Sequence, residues 1–228
     1  MKKAFTVLAH RGARGHAPEN TLLAFDRCIK AGAKWIELDV QLHDGELWVF
    51  HDLNLERCTD GHGWLVDHPR DVLRKLDAGD GEQIPFLREA LETIGRRAQV
   101  NVELKTAQGT AAAVATLLRE FLARGWKVDD FMVSSFHLPE LRDFHRRMPE
   151  VPMLMLLCGV PLNLAADAQA LGAGTVGLDL NFVDDALVAD AHQRGLKVFV
   201  YTVNEAEDVK RLRARGIDGV FSDFPERA

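Results

Sequence analysis

Ionisable side chains stand at the ends of several apolar runs in this sequence. Glu37 and Asp39 are separated by one residue, and so are Glu103 and Lys105. Alternate residues of a β-strand point to the same face of the strand. We therefore expect each pair to project to one side, so that three carboxylates and one cation meet in a single place.

Three inward-facing carboxylates repel one another unless something neutralises their charge. Two charges about 4 Å apart repel by about 4 kcal/mol at an effective dielectric constant of about 20. A hard divalent cation with oxygen ligands removes that cost. Because no cysteine belongs to the group, Glu37, Asp39 and Glu103 predict one Mg²⁺ or Ca²⁺ ion rather than Zn²⁺. The alternative is that Lys105 and Arg11 neutralise the carboxylates without a metal.

Two histidines, His10 and His51, each directly follow an apolar run. Imidazole titrates near neutral pH, so two histidines can supply a general base and a general acid. A histidine at a strand end can also be a hydrogen-bonded structural residue, and its coincidence with the carboxylates favours catalysis. Arg11 and Lys105 carry the charge that a phosphate needs, or they only neutralise neighbouring carboxylates.

Short β-rich runs alternate along the chain with longer amphipathic segments. This alternation predicts an α/β barrel, in which active sites lie at the carboxyl ends of the strands. A doubly wound open sheet is the alternative, but no GxGxxG turn follows any run. Asn20 and Asn204 stand where helix N-caps are expected. The expected strands are Phe5–Ala9, Trp35–Val40, Val100–Leu104, Phe131–Ser135, Met153–Leu157, Thr175–Leu180, Lys197–Thr202 and Asp218–Ser222.

One irregular segment, residues 41–85, interrupts the alternation after the second strand. Asp44-Gly45 predicts the tip of a hairpin, and residues 53–85 read as an ordered, loop-rich insertion. Such long loops are more often functional than idle. At the other end of the chain, the last helix is reduced to the tail after Pro225. We expect a single domain over residues 1–228.

Composition excludes several classes of protein. The formal net charge of −6 disfavours nucleic-acid binding. Three widely spaced cysteines, an odd number without a CxxC pair, predict neither a disulfide framework nor a thiolate zinc site, and they suit a reducing, cytoplasmic location. The sequence has no apolar stretch of about 18 residues, so it predicts neither a membrane span nor a stable membrane association.

The ordered set of these residues resembles the glycerophosphodiester phosphodiesterase family, in particular its short cytoplasmic bacterial members. The matching pieces extend over nearly the whole chain. They are His10-Arg11-Gly12, Pro18-Glu19-Asn20-Thr21, Glu37-x-Asp39, Val49-Phe50-His51-Asp52, Leu55-Glu56-Arg57, Gly61-x-Gly63, Ile84-Pro85, Glu103-x-Lys105, Ser134-Ser135-Phe136, Tyr201-Thr202-Val203-Asn204 and Asp218-Gly219-Val220-Phe221-Ser222-Asp223.

The resemblance implies a TIM-like (β/α)8 barrel that hydrolyses glycerophosphodiesters to glycerol 3-phosphate and an alcohol. By similarity, three carboxylates hold the metal, His10 and His51 form the acid/base pair, and Arg11 and Lys105 contact the phosphate. Phe136 and Tyr201 are candidates for walls of the glycerol or alcohol site, with rim packing as the alternative. Asn20 either contacts the site or caps the first helix, and the cap is the stronger prediction.

The expected mechanism passes through a cyclic phosphate formed by the glycerol 2-hydroxyl, with direct attack by water as the alternative. Three other functions compete: a lysophospholipase D-like activity, a phosphoinositide-directed phosphodiesterase on the same barrel, and a barrel that binds a phosphorylated ligand without turnover. The expected partner is a small glycerophosphodiester. The sequence leaves the alcohol group, the metal and a homodimer open.

Overall fold

The computed structural model describes residues 5–107 and 109–228. Eight parallel strands close into a barrel, because the first strand pairs with both the second strand and the last. A further strand, β3, pairs antiparallel with β2 and lies outside the closed ring. The strands are β1 (Thr6–Ala9), β2 (Trp35–His43), β3 (Glu46–Val49), β4 (Gln99–Leu104), β5 (Phe131–Ser135), β6 (Met153–Leu157), β7 (Thr175–Asp179), β8 (Lys197–Tyr201) and β9 (Gly219–Ser222).

Helices connect most successive strands of the barrel and cover its outer face. Glycines in the left-handed conformation follow most of the helices, as at Gly32 and Gly195, where φ is 90° and 78°. After β9 the chain forms the short 3₁₀ turn Pro225–Arg227, which lies in the predicted tail. The helices are α1 (Leu22–Lys30), α2 (Arg70–Leu73), α3 (Leu87–Ile94), α4 (Thr110–Ala123), α5 (Leu138–Arg147), α6 (Ala166–Leu171), α7 (Asp185–Gln193) and α8 (Ala206–Ala214).

Successive side chains of each barrel strand point alternately toward the helices and into the barrel. Ile36, Leu38 and Val40 belong to the large core between strands and helices. A smaller apolar cluster fills the inside of the barrel, with Trp35 packed against it. Because Trp35 shares a strand face with Glu37 and Asp39, the interior changes from apolar at the amino ends of the strands to charged at their carboxyl ends. The inner cluster is formed by Leu8, Met132, Leu154, Leu156, Phe199 and Phe221.

The insertion after β2 begins with the predicted hairpin. Its turn residues Asp44 and Gly45 both have positive φ, 50° and 74°, as the tight turn of a twisted hairpin requires. The rest of the insertion is loop-rich but has an apolar core of its own, separate from that of the barrel. This core contains Trp48, Phe50, Leu55, Leu65, Leu73, Ala78, Ile84 and Phe86.

Two sequence predictions of helix caps are wrong. The N-cap of α1 is Thr21, whose hydroxyl accepts from the Ala24 N–H, while Asn20 adopts a left-handed φ of 59°. The residue before α8 is Glu205, and the Asn204 side chain bonds Asp223 instead. In both cases the asparagine side chain donates to a carboxylate that is distant in the sequence instead of capping the helix. None of the helices among residues 5–107 and 109–228 is long and apolar enough to cross a membrane.

Candidate active site

The three predicted carboxylates meet inside the barrel at its carboxyl end. Glu37 and Asp39 lie on β2, and Glu103 lies on β4 directly opposite Asp39 in the strand register. One oxygen from each carboxylate lies within 4.8 Å of the other two. Glu37 and Asp39 are 1 % exposed. The strand alternation that predicted this cluster from the sequence therefore brings its members together.

The charges of the cluster are only partly compensated by the protein. Burial raises the pKa of Glu37 well above its ordinary value, and the nearby Asp39 and Glu103 add to the effect. Burial and Asp39 likewise raise the pKa of Glu103 to about 7. Burial also acts on Asp39, but Arg11 and Lys105 outweigh it and hold the pKa of Asp39 below its ordinary value. This all-oxygen group of under-neutralised carboxylates fits a hard divalent cation.

Arg11 and Lys105 both contact carboxylates of the cluster. The Arg11 Nε lies 3.2 Å from Asp39, and its backbone N–H donates to Glu37 over 2.9 Å. The Lys105 Nζ lies 2.8 Å from Glu103 and 3.7 Å from Asp39. These contacts are those of the alternative in which the two cations neutralise the carboxylates. With both cations in place, burial still raises the pKa values of Glu37 and Glu103.

Each of the two histidines is paired with a carboxylate through Nδ1. The His10 Nδ1 lies 2.7 Å from Asp223, and its Nε2 lies 4.0 Å from Glu37. The His51 Nδ1 lies 2.5 Å from Asp52. A carboxylate can only accept, so Nδ1 carries the proton and the neutral ring keeps its lone pair on Nε2. Burial lowers the pKa of both imidazoles, which favours this neutral form.

The remaining predicted residues form the edges of the site. The Asn20 Nδ2 donates to Asp39 over 2.9 Å, so Asn20 contacts the cluster instead of capping a helix. The Phe136 ring lies 5.7 Å from the Lys105 Nζ and meets the Tyr201 ring edge to face at 5.6 Å. The Tyr201 hydroxyl donates to a backbone carbonyl. Phe136 and Tyr201 thus make one continuous aromatic wall beside Lys105.

Sequence reasoning gave no role to four side chains that support the site. Asp52 and Asp223 accept from the histidines, while Glu19 and Arg57 form ion pairs at the rim. All four lie within or beside quoted motifs, such as Leu55-Glu56-Arg57. Their place in these motifs could have marked them as site residues. Their partners could not be identified, because those contacts join residues that are distant in the sequence.

The chain is similar to known proteins over nearly its whole length. Residues 10–227 match the model of the glycerophosphoryl diester phosphodiesterase family. A glycerophosphodiester phosphodiesterase of Caldanaerobacter subterraneus subsp. tengcongensis is 36% identical over 236 residues, with 96% of this chain and 94% of that protein covered. A solved Oleispira antarctica phosphodiesterase, in complex with the product sn-glycerol-3-phosphate, is 34% identical with a TM-score of 0.89, covering 97% of this chain and 94% of that chain. The chain belongs to the glycerophosphoryl diester phosphodiesterase family.

Proposed function

We propose that this enzyme hydrolyses glycerophosphodiesters to glycerol 3-phosphate and an alcohol by acid–base catalysis between His10 and His51. The observation that carries the proposal is the pair of carboxylate-backed imidazoles beside one buried group of three carboxylates. The Oleispira relative, with sn-glycerol-3-phosphate bound, supports the same product for this chain.

Glu37, Asp39 and Glu103 are the residues that would hold one divalent cation, Mg²⁺ or Ca²⁺. When bound, it would polarise the phosphodiester and orient the glycerol hydroxyls. Arg11 and Lys105 flank Asp39, and they supply the positive charge that binds phosphate oxygens and stabilises charge developing on them. Asn20 holds the Asp39 carboxylate in place.

The two histidines exchange protons with the substrate through Nε2. One takes the proton of the glycerol 2-hydroxyl, whose oxygen attacks phosphorus, while the other protonates the departing alcohol. Water then opens the cyclic phosphate with the two roles reversed. Asp52 and Asp223 orient the rings and stabilise each imidazolium as it forms.

Single substitutions of the two histidines test this proposal. His10→Gln and His51→Gln are each expected to lower kcat for glycerophosphocholine by about 10²–10⁴-fold. His192→Gln is the matched control, because His192 also pairs with a carboxylate (Asp218, 2.9 Å) but lies on α7. Wild-type turnover in either site variant would overturn the assignment.

An analogue that lacks the 2-hydroxyl should not react, and its normal turnover would exclude the cyclic phosphate.

A specific observation favours lysophospholipids as a second substrate class. Phe136, Val160, Leu162 and Phe182 follow the carboxyl ends of β5, β6 and β7, and Leu162 is fully exposed. The other exposed large apolar side chains of the described residues lie in the insertion: Leu53, Trp64, Val66 and Val72. Exposed apolar side chains that are grouped at one place mark interaction sites, and an acyl chain on the substrate glycerol would cover apolar side chains beyond the Phe136–Tyr201 wall.

Lysophosphatidylcholine and glycerophosphocholine separate the two substrate classes. Leu162→Ser should lower kcat/KM for lysophosphatidylcholine by about 10-fold, since burying a leucine side chain contributes about 1.5–3 kcal/mol. The same variant should leave glycerophosphocholine hydrolysis unchanged, and Val72→Ser in the insertion is the control. No choline release from lysophosphatidylcholine by the wild type would exclude this substrate class.

We also propose a cytoplasmic location. Cys28, Cys58 and Cys158 are all free thiols in the structure, and unpaired cysteines suit a reducing compartment. The mass of the intact protein tests this, after whole cells are denatured directly in a thiol-alkylating reagent. Three alkylated thiols are expected, and a disulfide would contradict the proposal.

A further inference from the structure

Arg57 belongs to the insertion, but its guanidinium contacts carboxylates on two sides of the candidate site. Its Nε and Nη2 donate to Asp52 over 2.5 and 2.9 Å. Its Nη1 and Nη2 donate to Glu19 over 2.8 Å each. Both contacts use two nitrogens, an arrangement that fixes the plane of the guanidinium as well as its position.

Asp52 is the carboxylate that orients His51. Its Oδ1 accepts from the His51 Nδ1 as well as from Arg57, while its Oδ2 has Arg57 as its one donor among the described residues. The hydrogen bonds from Arg57, more than those from His51, hold the pKa of Asp52 at about 2. The direction of the Asp52 carboxylate, and through it the ring plane of His51, therefore depends on Arg57.

Glu19 anchors Arg57 to the barrel. It lies in the loop between β1 and α1, and it also accepts from the Arg11 Nη1 over 2.7 Å. Arg14 approaches its other oxygen at 3.4 Å. Because both Glu19 oxygens have further partners, the Glu19 carboxylate is held in place and in turn positions the Arg57 guanidinium.

The insertion has a source of stability other than this bridge. The Arg57 side chain is 45 % exposed, while its partners Glu19 and Asp52 are 12 % and 20 % exposed. The insertion has an apolar core of its own, and Arg57 is not a member of it. The two bidentate contacts therefore have a consequence for the site, whatever they add to the stability of the fold.

We propose that Arg57 is a positioning residue of the reaction, which holds His51 in its productive orientation through Asp52. The proposal rests on the proposed function, in which the His51 Nε2 exchanges a proton with the substrate. Loss of an outer-shell partner of a metal-ligating residue typically lowers activity by about 10–100-fold, and Arg57 stands in the same relation to His51 through Asp52. Arg57→Met, which keeps the length of the side chain without its donors, should therefore lower kcat for glycerophosphocholine by about 30-fold and leave KM within about twofold.

A double-mutant cycle separates positioning from a general structural effect. If Arg57 acts through His51, Arg57→Met should change kcat by less than about threefold in a His51→Ala background. Arg70→Met is the matched control: Arg70 is also in the insertion and pairs with Glu46, and its loss should leave kcat unchanged. An equal loss from Arg57→Met in both backgrounds would overturn the proposal.

A measurement without turnover keeps the proposal testable if the reaction itself is assigned wrongly. The ring ¹⁵N shifts of His51 should show a protonated Nδ1 and a free Nε2 in the wild type. Arg57→Met should give a mixture of the two tautomers, while Arg70→Met should not. A wild-type tautomer in Arg57→Met would overturn the proposal whether or not glycerophosphocholine is hydrolysed, whereas inactivity of the wild type alone would refute only the proposed function.

Discussion

Replacing Glu103 by glutamine should stabilise the protein when no divalent cation is present. The pKa of Glu103 is about 7 in the folded protein, against 4.5 for the unperturbed group. An acid whose pKa is raised by folding destabilises the folded state at every pH at which the acid is ionised. The difference between the two pKa values corresponds to about 3 kcal/mol at pH values above the folded pKa. Coulomb's law gives a similar size, about 3 kcal/mol for two charges about 5 Å apart at an effective dielectric constant of about 20.

The Glu103→Gln substitution removes this charge and retains an amide oxygen that can accept from the Lys105 Nζ. In EDTA at pH 8, the free energy of unfolding should rise by about 3 kcal/mol, which for a chain of this size is a rise in Tm of about 6–12 °C. The gain should shrink as the pH falls through 7 and vanish below 4.5. Urea titrations at pH 8 and pH 5 measure it. Added Mg²⁺ or Ca²⁺ should raise the stability of the wild type more than that of the variant.

Glu92→Gln is the control for simple loss of a carboxylate. Glu92 forms an exposed ion pair with Arg124, so its substitution should change the stability by no more than about 1 kcal/mol. A Glu103→Gln variant that is less stable than the wild type in EDTA at pH 8 would refute the reasoning. It would show that Lys105 and Arg11 already neutralise the cluster, as in the metal-free alternative.

Three further substitutions have effects that follow from single contacts. Asp223→Asn should lower kcat for glycerophosphocholine by about 10–100-fold, because His10 loses its orienting carboxylate; steady-state kinetics should show this with KM little changed, and a change in KM alone would contradict it. Gly12→Ala should destabilise the protein by about 2–4 kcal/mol in urea titrations, since Gly12 has a φ of 79° and an added Cβ would lie 2.7 Å from the Phe25 ring; unchanged stability would contradict this. Leu65→Ala should cost about 2–5 kcal/mol and raise amide hydrogen exchange in the insertion first, because Leu65 is fully buried in the separate core there; uniform exchange across the barrel would contradict it.

The barrel and the meeting of three carboxylates in the candidate site could be predicted from the sequence because both depend on local patterns. Ile36, Leu38 and Val40 alternate with Glu37 and Asp39, and this alternation fixes which side chains face the helices and which face the interior. Strand ends were predicted less well, as β2 continues to His43 where the sequence suggested Val40. The hairpin pairing with β3 extends the strand beyond the barrel, and a propensity pattern does not report this.

The parts that could not be predicted depend on contacts between distant residues. Asp223 is 213 positions from His10, and Arg57 is 38 positions from Glu19. Asn20 was predicted to cap α1 because asparagine is a good N-cap, but the adjacent Thr21 caps the helix. The left-handed backbone at Asn20 instead accompanies a hydrogen bond to Asp39 across the rim. Only the closed barrel shows which of two adjacent capping residues faces the site.

The most direct test is the release of glycerol 3-phosphate from glycerophosphocholine by purified protein stripped of metal, then supplied with Mg²⁺, Ca²⁺ or excess EDTA. Release should depend on a divalent cation and be lost in both His10→Gln and Glu37→Gln. Release at the same rate in EDTA would contradict the metal site at Glu37, Asp39 and Glu103, and no release under any condition would contradict the proposed reaction on this substrate.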